Sequence, residues 1–251
     1  MNHIVVAVSM TVFPCLCTIL GAGLVFLVGH EQSPGSRRSM MGLAAGIMLA
    51  GSVFSLLLPS IQQAQQTGKN AWLAPSGGLA AGTVLLLVAE RLANELFEEG
   101  KDHSGRIVLA VALHNLPQGM VVGLTAAMGA MGQPDAAAGA MALSLGIGLQ
   151  NIPEGAAISV PVRQAGASRL GAFGAGVASG LVEPLGAALA GALAGYVLAG
   201  MLPWLLSLAA GAMLCVVVQE MIPQAVEEGG VGVLAIALGF ALMMALNIAL
   251  G

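Results

Sequence analysis

Charge is the scarcest commodity in this chain. Of 251 residues only 8% are Asp, Glu, Lys or Arg, against about 25% in ordinary soluble domains. So few charges cannot cover the surface of a water-soluble fold of this size. Aromatic residues make up only 4%, so any interfacial aromatic belt is thin, with Trp72 and Trp204 its best candidates. There is no basic stripe and the formal net charge is −4, which excludes nucleic acid as a partner. The three cysteines give no disulfide framework. Cys15 and Cys17, two apart on a helical segment, point about 200° away from each other, and Cys215 stands alone in an apolar run. All three read as packing residues.

What the chain has instead is hydrocarbon. Hydrophobic residues make up 57%, and a membrane-spanning helix needs about 20 mostly apolar residues. Apolar runs occupy 4–28, 40–61, 72–94, 106–130, 137–161, 170–199, 203–223 and 230–250. The sequence therefore predicts an all-α integral membrane protein. It is a single transmembrane domain over 1–251, an eight-helix bundle with the lipid bilayer as its solvent. The first run has no basic flank and is too long for a signal-peptide core, so it reads as the first span. The sixth is long and is expected to tilt or break near Pro184. The 36 glycines suit close helix–helix packing in lipid. Connections are short: 29–39 with Glu31, Arg37 and Arg38; a Gln-rich 62–71 with Lys69; and 95–105, ELFEEGKDHSG, whose His103, Glu98, Glu99 and Asp102 read as a solvated loop. His3 and His30 fall at span ends.

Basic residues set the orientation. With eight spans, Arg37, Arg38, Arg91, Lys101, Arg106, Arg163 and Arg169 fall on one side and Lys69 alone on the other. The first group is assigned to the cytoplasm, which puts both termini outside.

The fourth run contains Leu113-His114-Asn115-Leu116-Pro117-Gln118-Gly119, and the fifth Leu149-Gln150-Asn151-Ile152-Pro153-Glu154-Gly155, in register at a 36-residue offset. Consecutive spans run antiparallel, so this is an inverted repeat, an arrangement that commonly meets around a substrate site near the bilayer midplane. His114 and Gln118, and likewise Gln150 and Glu154, share one helix face at i and i+4. Asn115 and Asn151 point about 100° away and can face a neighbouring position. Pro117 and Pro153 lack an N–H and crowd the carbonyls of Leu113 and Leu149. Two more carboxylates, Glu183 and Glu220, sit deep in apolar runs. An ionised carboxylate buried there costs several kcal/mol unless compensated. No Lys or Arg lies at similar depth, so a cation or a proton is the natural partner.

At these residues the chain resembles the ZIP (Zrt-/Irt-like) family of divalent metal transporters, in its bacterial branch. HNLPQG is similar to the family's span-four HNxPEG motif, and QNIPEG to its span-five counterpart. The resemblance implies metal contacts from His114, Gln150 and Glu154, with Asn115, Asn151 and Glu183 lining the neighbouring position. It also implies a thioether from Met48. Gln219-Glu220 before Met-Ile-Pro resembles the span-seven HE-x-x-P element, with glutamine for histidine, which assigns Glu220 to a second polar cluster on the path. A homodimer in the cell (inner) membrane, uptake toward the cytoplasm, and movement of one helix group against the other are implied as well. Gln118 departs from the pattern, standing where the family carries a glutamate. With Glu154 and Glu183 as the remaining charges, one metal rather than a bridged pair is expected.

Imidazole, carboxylate, amide and thioether together suit Zn²⁺, with Cd²⁺, Fe²⁺, Co²⁺, Ni²⁺ and Mn²⁺ also admitted. The metal is cargo; no catalytic cofactor is expected. Binding needs neutral His114 and ionised Glu154 and so weakens in acid. A proton-coupled carrier of a non-metal solute on the same fold is the alternative. An intramembrane enzyme is disfavoured, since no H-E-x-x-H or G-x-S-x-G element lies in a span and no second histidine lies at depth.

Overall fold

A computed structural model describes residues 2–27, 33–67, 70–96, 103–133, 136–196, 199–227 and 230–250, with backbone alone at 67, 93, 94, 96, 103–114, 199 and 250. The described residues are helical: α1 (His3–Gly23), α2 (Pro34–Gly51), α3 (Leu58–Thr67), α4 (Leu73–Leu96), α5 (His103–Ala130), α6 (Ala136–Gln164), α7 (Arg169–Gly180), α8 (Val182–Leu193), α9 (Leu202–Val216), α10 (Ile222–Val226) and α11 (Val231–Leu250). Among them, six helical rods are long and apolar enough to cross a membrane: His3–Phe26, Pro34–Gln66, Leu73–Leu92, Arg169–Leu193, Leu202–Val226 and Val231–Ala249. The fold is that of a helical, multi-pass membrane protein. α5 and α6 have 28 and 29 residues, roughly 42 Å at 1.5 Å per residue, but they carry the amides and prolines of the two motifs.

Several boundaries differ from the hydropathy reading, each for a local reason. α2 starts at Pro34 rather than at 40, because Ser33 caps it, accepting from the Ser36 N–H at 3.2 Å, with Pro34 in the first turn. Proline is preorganised there and its missing N–H costs nothing. Arg37 and Arg38 are thus helical rather than in a loop. The Gln-rich stretch is not a connection either, since α3 carries the rod on to Thr67. The sixth run is interrupted at Leu181. Pro184 has no N–H for the carbonyl of Gly180, the last residue of α7, and so the helix restarts. Lys69 and Lys101 of the charge tally, and the side chain of Arg106, lie outside the described residues.

Hydropathy gave no hint of two wide turns. Ser52–Leu57 and Val217–Met221 are π-helical. Each ends two residues before a proline, Pro59 and Pro223. The proline withholds a hydrogen bond from the turn before it, and the helix accommodates this by widening to the i→i+5 pattern.

The helices sort into two groups by packing. α1 packs chiefly on α6, and α5 on α8, with α7 alongside; α2 packs chiefly on α11, and α4 on α9. Contacts between the groups, mainly α2 with α6 and α5 with α9, are sparser. All four major pairs are held together by reciprocal glycines. A Cβ on Gly155 would strike the carbonyl of Thr18, and one on Gly21 that of Ile152. Gly119 stands in the same relation to Glu183, and Gly186 to Leu116. Gly46 and Gly239 lock α2 to α11, and Gly82 and Gly211 lock α4 to α9. Backbones brought this close maximise van der Waals contact, which drives helix association where lipid is as apolar as leucine. Outward-facing leucines such as Leu85 on α4, Leu189 on α8 and Leu238 on α11 are exposed, as expected of surfaces that meet hydrocarbon.

Candidate functional site

The two motifs lie inside α5 and α6, each of which continues unbroken through its proline. Their polar side chains point inward: Asn115, Gln118, Gln150 and Asn151 are fully buried, and Glu154 nearly so. The motif glycines explain how this layer is held. Gly119 and Gly155 are the points at which α8 and α1 cross, so the residues just before them sit at close helix crossings. His114 lies on α5, but its side chain is outside the described residues.

The helix break at Leu181 sets Glu183 in the first turn of α8, where the positive end of the helix dipole favours a carboxylate. Glu183 Oε1 accepts from Asn151 Nδ2 at 2.6 Å and from Thr18 Oγ1 at 3.2 Å. Half of the carboxylate is thus met by protein donors. Its Oε2 has no partner among the described residues. Asn151 Nδ2 also reaches the Pro14 carbonyl at 3.2 Å.

Asn115 does not bond to this pair. Its Nδ2 donates to Ser179 at the end of α7, at 2.9 Å to Oγ and 3.3 Å to the carbonyl. Gln150 reaches across to the other helix group, where its Nε2 lies 3.8 Å from Met213 Sδ and its Oε1 is pressed against Gly51. Gln118 is buried and, among the described residues, neither of its amide atoms has a partner. Asn115 Oδ1, Gln150 Oε1 and Asn151 Oδ1 also lack partners. An unmet buried polar atom costs about 1–3 kcal/mol, so this gathering of bare acceptor oxygens from α5, α6 and α8 calls for a donor or a cation.

Glu154, Met48 and Glu220 line one cavity of about 70 Å³, together with Met41, Met221 and Gln224. Glu220 and Glu154 therefore open onto the same cavity. The π turn Val217–Met221 carries Glu220, and the proline that widens it also re-aims the side chains beside it. Among the described residues no three His, Cys, Asp or Glu side chains converge on one point. A metal held here draws on amide oxygens and thioethers beside the carboxylates.

Reading the sequence missed Thr18, Ser179 and Met213, each of which meets a motif residue from another helix. Thr18 follows Pro14 at i+4 and its hydroxyl also bonds that carbonyl at 3.3 Å, but nothing in the pattern marks it. Met41 and Met221 had a weak signal: Met41 lies two helical turns from Met48 and so shares its face.

A larger cavity of about 440 Å³ lies at the other end of α2–α3, lined by Gln62, Gln63, Gln66, Ser55, Thr125 and Asn247 among others. Ser55 Oγ donates to Asn247 Oδ1 at 3.1 Å there. The three cysteines are free and buried.

Comparison with known proteins bears on the same segment. The family model described as ZIP Zinc transporter matches residues 106–247. The zinc transporter GufA of Myxococcus xanthus is 36% identical over 183 residues, which cover 67% of this chain and 68% of that protein. Zinc transporter ZIPB of Bordetella bronchiseptica is 37% identical over 183 residues, covering 67% of this chain but only 56% of its own length. Zinc transporter ZupT of Corynebacterium aurimucosum is 30% identical over 198 residues, 71% of each chain.

Proposed function

The chain belongs to the ZIP zinc transporter family, and from that premise we propose that it carries a divalent transition-metal ion, zinc foremost, across the membrane. The ion is held between α5 and α6 by His114, Gln150 and Glu154, with Met48 approaching from α2. Asn115, Gln118, Asn151 and Glu183 line the adjoining position, and Glu220 takes the ion next. The observation that carries the proposal is the set of unpartnered acceptor oxygens on Asn115, Gln118, Gln150, Asn151 and Glu183, buried in one region. A cation satisfies such a set, whereas an anionic or carbonyl-bearing solute would need donors, and these acceptors far outnumber the unpartnered donors beside them.

In this reading α5 and α6 span the bilayer with the six apolar rods, both termini lie outside, and the inward cavity beside Glu154 opens toward the cytoplasm. The reciprocal glycine pairs support the inverted repeat: α1 on α6 and α8 on α5 form one matched couple, α2 on α11 and α9 on α4 the other. The sparse contacts between the two groups support movement of one against the other during import. The working form is a homodimer in the cell membrane holding one metal per central site, and it is a transporter, not an enzyme.

The test is zinc uptake into proteoliposomes under an inward gradient. His114→Ala and Glu154→Gln should each abolish saturable uptake while folding normally. Wild-type vesicles that take up no divalent metal, yet accumulate a non-metal solute in exchange for protons, would overturn the proposal.

A further inference from the structure

Fourteen methionines are present in 251 residues, and four of the buried ones lie on α2, on α9 and on the π turn after α9, in the helix group that faces α6. Met41 and Met48 are on α2, Met213 on α9 and Met221 on the following π turn, each no more than 4% exposed. Met41 and Met48 are seven residues apart, two turns on one face. Met41, Met48 and Met221 line the cavity that also contains Glu154, Glu220 and Gln224. Met213 Sδ lies against the Gln150 amide. Along α6 the cavity runs from Glu154 to Pro161, about 10 Å, and along α2 it runs the same seven residues from Met48 to Met41.

We propose that Met41, Met48 and Met221 form a thioether wall along the cytoplasmic half of the metal path, with Met213 at its entrance, and that this wall makes the protein selective for soft transition-metal ions. The inference rests on the transport reading and adds to it the property by which one cargo is preferred over another. Burial alone does not call for sulfur, since leucine fills nearly the same volume. The sulfurs of Met41, Met48 and Met221 line an open space whose remaining wall carries two carboxylates, where an apolar lining brings no charge compensation. A thioether is neutral and polarisable, a weak ligand for hard ions and a good one for soft ones. Carboxylates attract any divalent ion; sulfurs opposite them add binding for Cd²⁺, Cu⁺ and, to a lesser degree, Zn²⁺, and almost none for Mn²⁺ or Mg²⁺. Met213 acts one step earlier: by accepting the Gln150 amide it leaves Gln150 Oε1 bare, and it offers sulfur itself once Gln150 turns toward an ion.

Other buried methionines provide the contrast. Met243 is only 1% exposed and packs with Ile47 and Ala50 against Phe54 and Phe240, away from the cavity. It is a packing methionine, and Met243→Leu is the control for loss of a buried thioether.

The experiment has two arms. In proteoliposomes, competing uptake of cadmium and manganese is measured for wild type, Met41→Leu, Met221→Leu, their double variant, Met221→Cys and Met243→Leu. The cadmium-over-manganese preference should fall about tenfold in the double variant, the size of losing one modest ligand bond. It should be retained in Met221→Cys, which keeps a soft sulfur at that position, and stay unchanged in Met243→Leu. In the second arm, X-ray absorption at the cadmium edge on the detergent-solubilised protein should show a sulfur neighbour that the double variant loses. Equal losses for both metals, or an oxygen-and-nitrogen-only shell in the wild type, would overturn the thioether wall. If wild-type vesicles move no metal, the transport reading fails, and the absorption arm still decides whether sulfur binds the ion.

Discussion

Asn151, in the middle of α6, donates its side-chain amide to Glu183 Oε1 at 2.6 Å, tying the second motif to the restarted helix α8. The contact joins two helices that pack on different partners, α6 on α1 and α8 on α5. It therefore staples one helix group internally, and it does so with a charge-assisted bond in a place with little water. Asn151→Leu should lower stability by about 1.5–3 kcal/mol, the range for hydrogen bonds to charged groups, read as a drop in detergent melting temperature. Asn151→Asp should destabilise more, since carboxylate then faces carboxylate. Unlike Asn151→Leu, it should recover on addition of zinc, and a melting curve indifferent to zinc would count against a cation at this position.

Gly155 marks a close backbone crossing near the site. The smallest side chain placed there meets the Thr18 carbonyl and the Ala22 N–H region of α1, and backbone cannot rotate away as a side chain can. Gly155→Ala should cost at least the 1–3 kcal/mol typical of overpacking. Gly23→Ala, in the same pair of interacting helices but with nothing within 4 Å, should leave the melting temperature unchanged or slightly raised.

Hydropathy speaks clearly about bulk burial in lipid and poorly about local chemistry, and individual residues show where each applies. Apolar runs located the rods because nothing but hydrocarbon contact selects their composition. The start of α2 was misplaced because Arg37 and Arg38 outweighed the Ser33-Pro34 cap, which is a stronger helix signal than charge is a loop signal. The break before Pro184 was anticipated from the proline alone. The π turns were not, since the same residue at Pro59 and Pro223 produced widening instead of a break. In the site, the motif spacing marked Gln150, Asn151 and Glu154, but the partners Thr18, Ser179 and Met213 depend on which helices cross, and that is fixed by glycine placement on helices distant in sequence. Hydropathy treats Met41 and Met221 as ordinary apolar residues; only the open cavity beside them sets them apart.

Gln118 bears directly on how many ions the site takes. It is fully buried and, among the described residues, neither amide atom has a partner, so the position already carries the cost of a polar group without the charge of a glutamate. Two dications roughly 4 Å apart repel by about 17 kcal/mol at an effective dielectric of 20, and two carboxylates, Glu154 and Glu183, offset one ion but not a pair. Calorimetry on the wild type should give one metal per chain at this site. Gln118→Glu should either admit a second ion or bind the first more tightly, with a steeper loss in acid, because a third carboxylate must then be kept ionised. A wild-type stoichiometry of two, abolished by Glu154→Gln, would overturn the single-ion account.

Gly51 and Gln150 set up a direct test of whether a steric contact and a ligand role can be separated in one residue. They meet where α2 of one helix group crosses α6 of the other, and any Cβ on residue 51 strikes Gln150 Oε1. Gly51→Ala must therefore displace the Gln150 side chain or push the helices apart, and with the surroundings fully buried it should destabilise measurably and reduce zinc uptake. Shortening the obstacle in Gly51→Ala/Gln150→Ala should recover most of the stability, giving a coupling within the 0.5–3 kcal/mol seen for residues in contact. Uptake should not return, because the amide oxygen is gone from the path. If the double variant regains uptake as well, Gln150 is only an obstacle at this crossing; if Gly51→Ala costs the same with and without Gln150, the clash lies elsewhere along α2.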